Sequence, residues 1–254
     1  MDENSVLDYL DTALYDVNAP PETELEELSA RDSSWINRVQ REFESGFRLM
    51  ADRGPCVTVF GSARVRPSSP MYRVGCRVGR ELARAGFTVV TGGGPGLMEA
   101  ANRGALEAGG VSIGLGVTLS EIEPPNRFTT ASITFRYFFV RKVLLVKYAT
   151  AFVLLPGGLG TLDELFETLN LIQTKKIEPF PVILVGSKHW GGMVDWMRSA
   201  LYATKMVSPA AMELFLLEDD PAAVAQTIAR WRQTRDPKAL EPPAMHPASR
   251  RISA

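Results

Sequence analysis

The residues best suited to chemistry in this chain stand together at 154–165, LLPGGLGTLDEL. An apolar run gives way to Gly157, Gly158 and Gly160, then to Thr161 and two acids, Asp163 and Glu164. A tight turn needs one or two glycines. Three beside a threonine leave backbone amides open to a ligand, and a helix starting at Thr161 adds its unpaired N–H groups and positive end, which suits a phosphate. Thr161-Leu162-Asp163-Glu164 also spells a capping box, in which Glu164 merely accepts from the Thr161 amide. The stretch is neither a Walker A loop, because Gly160 is not followed by lysine, nor a G-x-G-x-x-G dinucleotide fingerprint.

Two more clusters carry similar chemistry. TGGGPGLMEAANRGA (91–105) places Gly92, Gly93 and Gly94 before Pro95, a residue that can open a helix. Ligand contact and a tight strand–helix turn both account for it. In FGSAR (60–64), Ser62 and Arg64 can hold phosphate or ribose, or simply close a loop. Arg141 and Lys142 lie in FRYFFVRKVLLVKYA (135–149), apolar on most sides and therefore a buried helix. A lone buried guanidinium costs on the order of several kcal/mol. Neighbouring helical positions diverge, so one of the pair reaches solvent and the other takes an anionic partner, a carboxylate or a phosphate.

These residues need a scaffold, and the apolar runs supply one. Strands are expected at 56–61, 87–94, 111–117, 151–158 and 181–186. Helices are expected at 71–85, 96–108, 136–148, 161–175, 192–203 and 221–233. Continuous apolar strands separated by helices imply an α/β fold, a doubly wound parallel sheet covered on both faces. Ligands of such sheets bind beyond the carboxyl ends of the strands, where strand order reverses. With the first and fourth strands as neighbours, the three glycine loops share one crevice. Before the sheet, Ile36, Val39, Phe43 and Phe47 mark a helix from Ser33 or Ser34, and Val6, Leu10 and Leu14 a weaker one. The chain thus divides into an acidic arm with helical extension (1–54), a doubly wound α/β domain (55–234) and a mobile Pro-containing tail (235–254).

Composition narrows the classes further. The net charge of −1 argues against nucleic acid as the main partner. Nine of the 29 acids fall in residues 1–30, which hold no Lys or Arg, so the rest of the chain is basic and suits an anionic small molecule. Cys56 and Cys76 are the only cysteines and His189 and His246 the only histidines, which disfavours a disulfide framework, a zinc site or a Ser-His-Asp triad. No secretory signal or bilayer-length apolar run is evident, so a cytoplasmic protein without membrane contact is expected. Apolar Leu165, Phe166, Leu169 and Ile172 exceed what one buried face requires and point to a homodimer or larger homo-oligomer.

GGGPGLMEAANRGA, FRYFFVRK, PGGLGTLDELFETLNLIQTKKI and PVILVG, in this order, resemble the LOG (Lonely guy) family over roughly residues 55–232. The resemblance implies a Rossmann-like fold and a phosphoribohydrolase. Such enzymes cleave the N-glycosidic bond of AMP or cytokinin riboside 5′-monophosphates, yielding base and ribose 5-phosphate, without cofactor or metal. It implies Arg141 and Glu164 as catalytic. It places the phosphate loop on Gly157, Gly158, Gly160 and Thr161, with Lys142 beside Arg141; Gly61, Ser62, Gly93, Gly94 and Met98, from the other two glycine loops, complete the candidate substrate or phosphate contacts. The family's acidic element after the third strand is displaced here within LSEIEPPNRF (119–128), so Glu121 or Glu123 takes that place, with Glu123 the candidate contact. The competing class is a carrier or sensor of the same fold, like molybdenum-cofactor carriers, which needs the glycines but not Arg141 and Glu164.

Overall fold

The computed structural model describes residues 30–118 and 125–235. The arm, Glu121 and Glu123, and the tail from residue 236 lie outside the described residues. Helix α1 (Ala30–Met50) begins earlier than its apolar spacing suggests and turns Trp35, Val39 and Phe43 toward the core, leaving Ile36 and Phe47 exposed. Then come β1 (Cys56–Phe60), α2 (Pro70–Arg84), β2 (Thr88–Thr91), α3 (Leu97–Glu107), β3 (Ser112–Val117) and β4 (Ala131–Phe135). They are followed by α4 (Phe138–Lys147), β5 (Ala149–Leu154), α5 (Leu159–Gln173), β6 (Val182–Leu184), α6 (Ser187–Trp196), β7 (Leu216–Leu217) and α7 (Pro221–Arg235).

The strands form one sheet in the order β4-β3-β2-β1-β5-β6-β7, and every pairing is parallel. The order reverses between β1 and β5, where Phe60 stands opposite Leu154. Alternate strand residues serve opposite faces, as the two-residue period requires. Val57, Val59, Val153 and Leu155 pack with the α2, α3 and α7 side, while Phe60, Phe152 and Leu154 pack with α4, α5 and α6. Both faces are buried, which explains why the central strands read as unbroken apolar runs. Helices α2 and α3 touch through glycine: a side chain at Gly79 would strike the Ala101 carbonyl, and one at Gly104 the Cys76 carbonyl.

Three expectations need correction. The sheet has two further strands, both at edges. Ala131–Phe135 alternates half-buried Ala131 and Ile133 with exposed Ser132 and Thr134 before ending on buried Phe135, and Leu216–Leu217 is only two residues long. Neither carries the apolar run of a central strand. Helix α6 starts at Ser187 rather than 192, because Asp219 accepts from the Gly186 and Ser187 amides (2.7 and 2.8 Å) and so anchors a start that Gly191 and Gly192 disguise. Finally, Leu165, Leu169 and Ile172 are buried in the core of this one chain; only Phe166 of that set is exposed. No described helix is long and apolar enough to cross a membrane.

Candidate active site

The loops after β1, β2 and β5 meet at the point of strand reversal. The Ser62 amide donates to the Pro156 carbonyl (3.0 Å), and the Leu97 amide donates to the Ser62 carbonyl (2.9 Å). Ser62 therefore ties the β5 loop to the start of α3. Gly61 lies against Leu97 and Leu155, and Gly96, at φ +69°, packs so tightly on Ser62 and Ala63 that no other residue fits there.

Helix α5 starts two residues before Thr161, with Gly158 as its cap. The Thr161 and Leu162 amides both donate to the Gly158 carbonyl at 3.0 Å. The capping-box alternative is thereby excluded: Thr161 lies inside the first turn, and Glu164 is free for other work. Gly157 presses on the Thr161 side chain, which leaves no room for a side chain at 157. Gly158, Leu159 and Gly160 are exposed, and their amides come before Thr161, the first to reach a carbonyl of this turn, so they stay open. This is an anion-binding geometry. His189, from α6, places Nε2 3.2 Å from the Gly157 carbonyl.

One turn further, Glu164 turns inward and meets Arg141 of α4: guanidinium Nη2 and carboxylate Oε1 are 3.8 Å apart, with side chains 16% and 3% exposed. That is an ion-pair distance too long for a hydrogen bond. Arg141 Nε and Glu164 Oε2 are both buried without a hydrogen-bond partner. Burial pushes the Glu164 carboxyl up to about 7, against the opposing pull of Lys142 and Arg141. Burial likewise holds the Arg141 guanidinium below its ordinary value, although Glu164 and Asp163 act the other way. Buried polar atoms normally find partners, so an unsatisfied, pKa-perturbed pair at a crevice marks a candidate site.

Lys142 behaves differently from the expectation that one of the pair reaches solvent. Its ammonium lies 2.7 Å from Asp163 and 2.8 Å from Glu167, the latter an ion pair without hydrogen-bond alignment. Burial opposes its charge, but the two carboxylates prevail and raise its pKa. Lys142 thus staples α4 to α5, and Arg141 and Glu164 are set facing each other beside that staple.

The second glycine loop closes the other side. Arg141 Nη1 would lie 3.5 Å from a side-chain carbon at Gly92, and Met98 packs over Gly92 and Gly94. Gly93 takes φ +72°, and its amide donates to Thr91 Oγ1 (2.9 Å). The Asn126 amide side chain donates to the Gly93 and Gly94 carbonyls and to Asn102 Oδ1, each at 3.0 Å. Buried Asn102 in turn accepts from Thr91 Oγ1 (2.6 Å) and donates to Ser112 Oγ (2.8 Å). Asn126, Asn102 and His189 were not among the sequence candidates. Asn102 gave a signal, an amide inside the alanine-rich helix, whereas Asn126 hides in a proline loop. A recess of ≈ 660 Å³ between Tyr72, Glu99, Arg103 and Phe128 shares Asn126 with this loop but includes neither Arg141 nor Glu164.

Over residues 98–228 the chain matches a family model described as "Possible lysine decarboxylase". The chain belongs to this family. It is the LOG family of the motifs, under an older description. Another member, from Mycobacterium tuberculosis, is named cytokinin riboside 5′-monophosphate phosphoribohydrolase. It is 32% identical over 155 residues, which are 59% of this chain and 81% of that protein. The pyrimidine/purine nucleotide 5′-monophosphate nucleosidase of Escherichia coli K12 is 32% identical over 171 residues, 63% of this chain and 37% of its own length. Among solved structures, a molybdenum cofactor binding protein from Rippkaea orientalis superposes with a TM-score of 0.52 at 19% identity. That match covers 72% of this chain and 99% of the other, a likeness of fold alone. The fold is Rossmann-like, as the LOG motifs imply.

Proposed function

We propose that this protein hydrolyses the N-glycosidic bond of nucleoside 5′-monophosphates, AMP or a cytokinin riboside monophosphate, to free base and ribose 5-phosphate. The observation that carries the reading is the buried Arg141–Glu164 pair, with one unsatisfied atom on each partner, set beside the open amides of α5. Names borne by two relatives agree with it. A carrier of the same fold would need the amides but has no use for a perturbed carboxylate facing a guanidinium.

In this mechanism the amides of Gly158 and Gly160, with Thr161, Gly61 and Ser62, hold the 5′-phosphate. That remote binding energy brings C1′ to Glu164. The C1′–N bond breaks with its electron pair passing to the base, and the positive charge that develops on the ribose is met by the Glu164 carboxylate. Water adds its oxygen to C1′ and releases one proton to Glu164 or solvent, while the departing base takes up a proton. Arg141, whose Nη1 lies near Gly92, stabilises the negative charge on that base. Gly93 and Gly94 border the same pocket, and Lys142 acts here by bracing the two helices.

Incubating the purified protein with AMP and separating products by chromatography tests this directly: adenine and ribose 5-phosphate should appear in equal amounts. Glu164→Ala should abolish turnover while leaving AMP binding within about threefold, because the phosphate contacts are untouched. Binding without release of base by the unaltered protein would instead describe a carrier.

The same proposal includes self-association close to the site. Leu159 and Phe166 lie seven residues apart on one face of α5 and are 86% and 39% exposed, and Phe138 and Val143 of neighbouring α4 are exposed as well.

A further inference from the structure

The helix that carries Arg141 is held from outside the sheet. Helix α1 lies along α4, with Trp35 edge-on to Tyr137 (5.8 Å between rings) and Phe47 beside Tyr148 (6.5 Å). Arg38 Nε donates to the Tyr137 hydroxyl (3.1 Å). Between these contacts Gly46 sits so close to Leu144 and Phe135 that an added methyl would strike both. The most directional contact belongs to Glu42. Its Oε1 accepts from the Arg136 amide (2.8 Å) and its Oε2 from the Tyr137 amide (3.2 Å).

Tyr137 is the N-cap of α4, and its own side chain makes no capping bond. A carboxylate lent by another helix therefore takes two amides at the positive end of α4. Arg141 lies one turn beyond, its amide donating to the Tyr137 carbonyl at 3.4 Å. The guanidinium itself has few anchors. Its Nε lacks a partner, Glu164 is 3.8 Å away, and the Phe138 ring lies 4.8 Å below. With so little tying the side chain, where α4 begins decides where the guanidinium sits.

We infer that Glu42 is a positioning residue for the hydrolysis proposed above, an assignment that depends on that reading: it fixes the first turn of α4 so that Arg141 faces the departing base. Glu42 touches no reacting atom. The phosphate amides belong to α5, so loss of Glu42 should disturb the chemical step and spare binding. Misplacement by about 1 Å can cost on the order of 100-fold in rate.

The test uses the full chain with Glu42→Ala and Glu42→Gln. Four quantities are measured: kcat and KM for AMP, the affinity for ribose 5-phosphate, the unfolding temperature, and amide hydrogen exchange across residues 136–141. Glu42→Ala should lower kcat by about 10- to 100-fold, hold KM and ribose 5-phosphate affinity within about threefold, and speed exchange across residues 136–141. Glu42→Gln keeps one acceptor and should recover most of the lost kcat. The assignment is overturned if Glu42→Ala keeps its kcat or its amide protection. It is also overturned if kcat, KM, ribose 5-phosphate affinity and unfolding temperature all deteriorate together, which would mark a general loss of fold. A wild-type protein that releases no base from any nucleotide sinks the hydrolase reading and this assignment with it; an active wild type beside a normal Glu42→Ala sinks the assignment alone.

Discussion

Glu164 is a carboxyl with a raised pKa facing a cation with a lowered one, and the common cause is burial. Two groups pushed toward neutrality in contact lose some of the fold's stability in exchange for reactivity, which is typical of working sites. The sign follows from linkage. The unfolded Glu164 ionises near 4.5 and the folded one near 7, so its contribution to stability is present below about 4.5 and is lost as pH rises to about 7. Activity should move the opposite way. The proposed step uses the carboxylate, so kcat/KM for AMP, which follows the ionisation of the free protein, should climb about tenfold per pH unit below 7 and level off above it. A pH–rate profile that falls across that interval would make Glu164 a proton donor instead. At the partner position, Arg141→Lys keeps a charge but loses the planar fork that spans Glu164 and the pocket. It should lower kcat by about 100-fold with a smaller change in KM, as steady-state kinetics would show.

At the level of elements, the glycine turn after β2 owes its shape to Asn126, whose single side-chain amide serves the Gly93 and Gly94 carbonyls and Asn102. Asn126→Ala deletes the side-chain donor to the Gly94 carbonyl and to Asn102, while the Gly93 carbonyl keeps its bond from the Asn126 backbone amide. It should destabilise the fold by roughly 1–3 kcal/mol and raise KM for AMP, measurable by thermal unfolding and kinetics on the same sample. Asn126→Asp restores the acceptor but not the donor and should not rescue either property. Such a network was barely legible in the sequence, because it joins residues far apart along the chain through a loop of no regular pattern. The five central strands were legible, since burial on both faces makes Val57, Val59, Val153 and Ile183 simple apolar runs. The edge strands were not, because Ser132 and Thr134 interrupt the first and the second is two exposed leucines long. The PGGLGT loop was legible as exposed backbone at the start of a helix, yet whether Glu164 caps that helix was not, because α5 begins at Leu159, two residues before Thr161. Leu165, Leu169 and Ile172 misled for a related reason: α5 covers a broad surface of the sheet, so a wide apolar face is spent within one chain.

For the whole molecule, the question is what covers the apolar residues that the single chain leaves exposed beside its site. Fully burying a large exposed side chain is worth about 1.5–3 kcal/mol; Leu159 retains most of that for a second copy, and the partly exposed Phe166, Phe138 and Val143 a fraction each, before the cost of association is met. Lys142, braced by Asp163 and Glu167, stands between the two helices that bear them, so an interface on this face would press on the frame that sets Arg141 against Glu164. Phe166→Glu puts a charge into that interface while projecting into water in the lone chain. The wild type should therefore sediment as a dimer or larger assembly, and the variant as a monomer with an unfolding temperature close to that of other surface variants. If the two helices are held in register by the partner, the monomer's kcat for AMP should fall while its affinity for ribose 5-phosphate persists, because the amides at Gly158 and Gly160 belong to one chain. A wild type that sediments as a monomer at micromolar concentration would show that this apolar face is not a contact between copies, and would leave the amide cradle and the Arg141–Glu164 pair to act within a single chain.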